Sequence, residues 1–194
     1  MALPLFEIMA PMLPSEMPIL SLGPIRLRPF READAETVMS VAADPLIPLI
    51  TTVPVSGCRT DAVAFIKRQQ ERLPSGIGYS FAIAEAAGDQ AAGQIGLWLH
   101  DYRHGRASIG YWLTPQHRGR GYASAVLRAL TRWAWTLPGL ARLELYVEPW
   151  NESSWRTAER ADFQREGLLR SWQPVGNERR DMYMYSLLAP DATA

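Results

Sequence analysis

The segment Pro115-Gln116-His117-Arg118-Gly119-Arg120-Gly121 gathers residue types that can hold a phosphate. It stands between a strand-like run at 107–113 and an apolar run at 121–136 with helical spacing. A helix starting here presents unpaired amide donors and the positive end of its dipole. The two glycines let the backbone come close to a ligand. Together these features make a phosphate cradle. Arg118 and Arg120 add charge-assisted contacts suited to a pyrophosphate or a 3′-phosphate. The same residues also read as a tight turn with solvated arginines, since glycine-rich turns are common punctuation. A Walker loop is excluded, because no Gly-Lys-Ser/Thr follows. A dinucleotide fingerprint comes nearer, as Gly119-x-Gly121-x-x-Ser124 with Glu144 at about the right distance. It would need alternating parallel strands and helices around it.

The elements that must position this turn read differently. Residues 25–28 alternate as a half-buried strand, and a helix follows over 31–43. Residues 44–59 hold Pro45, Pro48, Pro54 and Gly57 and read as a loop. A second helix is capped at Thr60 or Asp61 and ends near Leu73, before Pro74. Strands at 80–86, 92–100 and 107–113 are joined by short turns, which predicts an antiparallel meander and disfavours a Rossmann domain. The helix over 121–136 is the clearest. Tyr122, Ala123, Val126, Leu127, Leu130, Trp133 and Ala134 recur at three- and four-residue spacing. With a strand at 140–147 it forms a β-α-β crossover, so that strand should run parallel to 107–113. A short helix at 151–161 and strands at 164–173 and 182–188, with a loop at 174–181 between them, complete the pattern.

Composition narrows the class. The 194 residues suit one domain with a substantial core. Twenty basic and twenty acidic side chains cancel, so nothing announces a nucleic-acid or membrane-surface protein. No apolar run is long enough to span a membrane. The single cysteine, Cys58, cannot form an internal disulfide, and no histidine motif activates it. No cluster has metal-ligand spacing. Residues 1–24 carry five prolines and four methionines. They read as an extension, partly disordered or packed over the surface, and make a poor signal peptide, which leaves the cytoplasm as the default compartment. Proline there blocks helix interiors and ladder pairing. Such an arm can pack on a second copy, giving a homodimer, or cover its own chain. The domain itself is expected over 25–190.

Several segments carry a family resemblance. Gln116-x-x-Gly119-x-Gly121 resembles the (Gln/Arg)-x-x-Gly-x-(Gly/Ala) motif of the GNAT superfamily of N-acetyltransferases. Leu27-Arg28-Pro29 with Asp34-Ala35 and Ile109-Gly110-Tyr111-Trp112-Leu113 are similar to its RimJ/RimL-like branch. So are Asn151-Glu152-Ser153-Ser154 and Arg160-Ala161-Asp162-Phe163 followed by Glu166-Gly167. The likeness covers about residues 25–188. It departs at Asp162, where the family carries glycine. Asp tolerates a left-handed helix end less well, so a slightly altered helix exit is expected.

The resemblance implies an α/β (α+β) domain of about four helices and a mixed, mostly antiparallel seven-stranded sheet. That sheet splays between the strands at 107–113 and 141–148. Acetyl-CoA would lie in the opening as cosubstrate, with no metal. Its pyrophosphate would meet the amides of Arg118, Gly119, Arg120, Gly121, Tyr122 and Ala123, and its pantetheine the backbone of Trp112, Leu113 and Thr114. Acetyl would pass directly to a primary amine, either a protein N-terminus or a small molecule. By the same resemblance Asn151 orients the cofactor arm or a water, and Ser154 donates to the departing sulfur. Ser154 also fits a helix-start hydroxyl that satisfies a local amide. A proton acceptor is sought among Glu85, His100, Glu148 and Glu152, with Glu148 favoured at the end of the strand that lines the splay. The acceptor pocket would come from the loop 44–59, the first two helices and the loop 174–181, where Asn177, Glu178 and Asp181 could draw an amine. Two other readings remain: an acyl-CoA-binding module without catalysis, and a nicotinamide-dependent oxidoreductase.

Overall fold

The computed structural model describes residues 13–190. Eight strands form one sheet: β1 (Leu20–Leu22), β2 (Ile25–Pro29), β3 (Gly78–Glu85), β4 (Ala91–Trp98), β5 (Arg106–Leu113), β6 (Arg142–Val147), β7 (Gln164–Val175) and β8 (Glu178–Leu188). Their spatial order is β1-β2-β3-β4-β5-β6-β8-β7, and β5–β6 is the parallel pair. Five helices join them: α1 (Ala35–Ser40), α2 (Ile47–Ile50), α3 (Arg59–Gln70), α4 (Tyr122–Ala134) and α5 (Glu152–Arg160).

Two apolar layers sandwich the sheet. On one face Tyr79, Phe81 and Ile83 of β3 meet Val126, Leu127 and Leu130 of α4. On the other, Ala82 joins Val38 of α1, Phe65 and Ile66 of α3, and Trp112 of β5. Alternation along a pleated strand sends successive side chains to opposite faces. Because both faces are covered, β3 and β4 read as nearly continuous apolar runs.

The segment Leu27-Arg28-Pro29…Asp34-Ala35 turns out to be a structural clamp. Arg28 is 1% exposed and holds both carboxylate oxygens of Asp34 at 2.8 Å. Its Nε reaches Asp89 at 2.8 Å, in the turn between β3 and β4. Such a bidentate pair fixes direction as well as charge, and it locks the start of the domain to the meander.

Four local differences from the sequence reading have physical causes. An eighth strand, β1, pairs antiparallel with β2 inside the expected extension. Its three residues fit between Pro18 and Pro24, and the edge position tolerates flanking prolines. Residues 1–12 of that extension lie outside the described residues. Within the rest, Leu13, Met17 and Leu20 pack on the core and Tyr79 donates to Pro14 O at 3.0 Å. Helix α2 interrupts the proline-rich loop, because Asp44 Oδ1 accepts from the amides of Leu46 and Ile47 at 2.9 Å each. The second helix starts two or three residues early, with Cys58 at its N-cap. Finally, residues 174–181 are not a loop: β7 and β8 continue into a hairpin, with Val175 opposite Glu178.

The helix exit at Asp162 is not altered. Asp162 adopts φ +68°. Phe163 N donates to Ala158 O, and Asp162 N to Glu159 O, both at 3.1 Å. This is a Schellman closure with Asp where glycine is usual.

Candidate active site

The sheet opens where the chemistry was expected. β5 and β6 pair at Arg106–Arg142, Ala107–Leu143 and Ser108–Glu144, and then diverge. Beyond Ser108, β5 remains bonded to β4 along its other edge. Thr114 N donates to Ala92 O, so alternation turns the amide of Leu113 toward the open edge. A cavity of about 440 Å³ fills the gap, lined by Tyr111 and Trp112 on one side and by Tyr146, Glu148 and Ser154 on the other.

The turn after β5 is built from buried polar contacts. Thr114 is fully buried, and its Oγ1 lies 2.5 Å from Nδ1 of His117. His117 is 6% exposed, with its ring stacked on Tyr122. Glu85, at the end of β3, lies beneath the turn, 3.6 Å from His117 Nε2 and 3.8 Å from Arg120. Gln116 is exposed on the turn. Arg118 is already engaged: its Nε donates to Leu113 O at 3.2 Å and its Nη2 meets Asp44 at 2.7 Å. That contact ties the turn to the capping residue of α2.

Gly119 and Gly121 take φ +74° and +77°. Open space lies where a Cβ would point from either one. The backbone amides of residues 119–124 meet no acceptor among the described residues. A second cavity of about 380 Å³ lies against Gly119, Gly121, Tyr122 and Ala123, facing Arg156 and Arg160 of α5. Orphan amides at a helix N-terminus, with room before them and cations opposite, fit a pyrophosphate.

At the splay, Asn151 is the N-cap of α5. Its Oδ1 accepts from Ser154 N at 3.2 Å. The Ser154 hydroxyl is therefore not the capping group. It lies 3.1 Å from the hydroxyl of Tyr111 on β5. Burial pushes the Tyr111 phenol up, against the opposing effect of its hydrogen bonds to Ser154 and Thr157, so it stays protonated near neutrality. Glu148 is buried and accepts from Trp150 Nε1 at 2.7 Å.

Of the four proton-acceptor candidates, Glu148 and His100 line the main cavity. Glu85 sits under the turn after β5 instead. Glu152 faces the second cavity and pairs with Arg156 at 2.5 Å. The acidic residues of 174–181 are drawn into the hairpin: Asp181 accepts from Ser171 N at 2.7 Å, and Glu178 pairs with Arg180 at 2.9 Å. Gln173 and Met182 line the cavity in their place. Tyr111 was missed as a functional group. The one available signal was its apolar strand context, which also fits a core tyrosine. Among the described residues no group of His, Cys, Asp or Glu converges as a metal site, and no helix is long and apolar enough to cross a membrane.

A splayed mixed sheet with a helix start of orphan amides at its mouth fits an acyl-CoA-dependent transferase. Residues 25–164 match the model of the acetyltransferase (GNAT) domain. N-acetyltransferase p20 of Bacillus licheniformis is 30% identical over 84% of this chain and 92% of its own. The fold is also that of RimJ from Mycobacterium smegmatis, solved with a CoA-disulfide: TM-score 0.80, 23% identity, 94% of this chain and 93% of that one. RimL, a ribosomal L7/L12 alpha-N-protein acetyltransferase solved with coenzyme A, gives TM-score 0.76 at 20% identity, over 90% and 99% of the two chains. The chain belongs to the GNAT family, whose members move the acetyl group of acetyl-CoA to an amine.

Proposed function

We propose that acetyl transfer takes place in the cavity between β5 and β6, with the phosphates held by residues 116–123 and the pantetheine along the open edge of β5. The observation that carries this reading is the meeting of the strand opening with the Tyr111–Ser154 hydroxyl pair in that cavity. Bound acetyl-CoA supplies the thioester carbon that the amine attacks. Glu148 accepts the proton that the nitrogen loses, directly or through a water. The amide of Leu113 donates to the acyl oxygen as negative charge gathers there. As the carbon–sulfur bond breaks, Ser154 gives the sulfur a proton and recovers one from Tyr111. Tyr111 then regains a proton from solvent and Glu148 releases the one it took, so both groups return to their starting states and the transfer balances. Asn151 holds the start of α5, and with it Ser154, at the opening.

The acceptor class is a primary amine, either a protein N-terminus or a small molecule, in the cytoplasm. The likeness to ribosomal-protein acetyltransferases supports an N-terminus. Thiol release from acetyl-CoA over a panel of amines and N-terminal peptides tests the reading, with calorimetry of CoA binding alongside. Release with at least one acceptor is expected. CoA binding with silence across the panel would overturn transfer and leave an acyl-CoA-binding module.

A further inference from the structure

Arg72 lines the acceptor side of the main cavity, just beyond α3. Its orientation is fixed from two directions. Its Nε donates to Gln69 Oε1 at 2.8 Å. That same oxygen accepts from Gln94 Nε2 at 2.9 Å and Ser80 Oγ at 3.1 Å, and Gln94 Oε1 in turn takes the indole of Trp112 at 2.7 Å. Gln69, Ser80 and Gln94 are all buried, so the chain of bonds is rigid and fully satisfied. From the other side, the guanidinium lies 4.2 Å from the ring of Trp98. That ring is seated across Gly96, where a Cβ would come within 2.3 Å of it. Stacking of this kind holds a guanidinium plane without consuming its terminal nitrogens.

Among the described residues no carboxylate pairs with Arg72. Burial and the neighbouring Arg68 both lower its pKa. A half-buried cation with no anion beside it is costly. Here it is held in place by a buried network, and Nη1 and Nη2 meet no hydrogen-bond partner among the described residues beside the cavity. Glu148, an acid, lines the same cavity. One fixed cation and one acid in a single chamber complement a molecule that carries both an amine and an anion.

We infer that the acceptor amine bears a carboxylate and that Arg72 recognises it, the amine end lying toward Glu148 and Ser154. This rests on the acetyl-transfer reading above and narrows its substrate class. A planar guanidinium fork matches a carboxylate through two parallel hydrogen bonds. The carboxylate has two sources: the α-carboxylate of a free amino acid, or an acidic side chain beside a peptide's N-terminus.

Matched pairs separate the sources. Free amino acids are compared with their amides, and peptides with Asp or Glu at the second position with their Asn or Gln counterparts. In one pair type kcat/KM should favour the charged member by about tenfold or more, the loss typical of a removed charge-assisted bond. Arg72→Gln should bring that ratio to about one, while CoA affinity stays within error. Arg72→Lys should restore part of it, since it keeps the charge and loses the fork. Calorimetry of N-acetylated amino acids and peptides, the acetylated products, against their neutral counterparts on the CoA-loaded protein gives a readout without turnover. Turnover with no charge preference in any pair overturns the anion site and leaves acetyl transfer standing. Charge-selective binding without turnover does the reverse. Equal binding of charged and neutral members, with or without turnover, also overturns the anion site.

Discussion

At Ser154 two roles compete for one hydroxyl, and the carboxamide of Asn151 decides between them. Because Asn151 takes the orphan amide at the start of α5, the Ser154 oxygen is free to meet Tyr111. Ser154→Ala should therefore lower kcat by about ten- to a hundredfold, toward the low end of what a positioned proton donor contributes. Tyr111→Phe should act in the same direction, with acetyl-CoA affinity within about twofold in both. Unchanged turnover would return the pair to a packing role. At Gly121 the argument is backbone geometry. With φ +77°, a side chain costs about 1–2 kcal/mol, and a carboxylate there faces the amides proposed to receive phosphate. Gly121→Glu should abolish CoA binding by calorimetry; retained affinity would refute the cradle. These glycines were legible in the sequence because their spacing against a helix start is local. Tyr111 was not, because its partner is 43 residues away and strand alternation cannot say which helix will cover it. Arg72 was hidden for a related reason: it is set apart by the lack of a carboxylate partner among the described residues, which only packing reveals.

At the scale of elements, the strongly periodic α4 and the meander β3–β5 were readable, since each side-chain pattern is set by its own segment. The four-residue α2 was hidden by prolines, one of which occupies its first turn, where a missing N–H costs nothing. The β7–β8 hairpin was hidden by a polar stretch that pairs with itself and stays largely exposed. The exit of α5 gives the cleanest test. Asp162 closes a Schellman turn in a left-handed conformation that glycine adopts without strain. Asp162→Gly should raise stability by up to about 1 kcal/mol, or roughly 2–4 °C in Tm for a chain of this size. A fall in thermal midpoint would show that the aspartate side chain stabilises the exit.

Across the whole molecule, one charged network joins the last three strands. Arg142 on β6 holds Glu166 on β7 through two hydrogen bonds, at 2.9 and 2.5 Å, and Ser186 on β8 donates to the same carboxylate at 2.5 Å. The bonds from Arg142, followed by that from Ser186, pull the Glu166 carboxyl down to about 2. A lowered folded-state pKa stabilises the fold above the ordinary value near 4.5, and that contribution is lost as pH falls toward 2. Denaturant titrations of the native chain and Glu166→Gln should therefore converge between about pH 4.5 and 2. A constant gap would remove the network from acid stability. A different kind of consequence follows from the three residue pairs that join β5 to β6. Past them the sheet is a zipper left undone, with peptide groups on both lips facing the gap. A guest that closes those lips acts as mortar between two half-sheets and draws the folding equilibrium toward itself. By mass action, coenzyme A at a hundred times its Kd should add about 2.7 kcal/mol to the unfolding free energy. The last amides to exchange with deuterium should then be those along the seam.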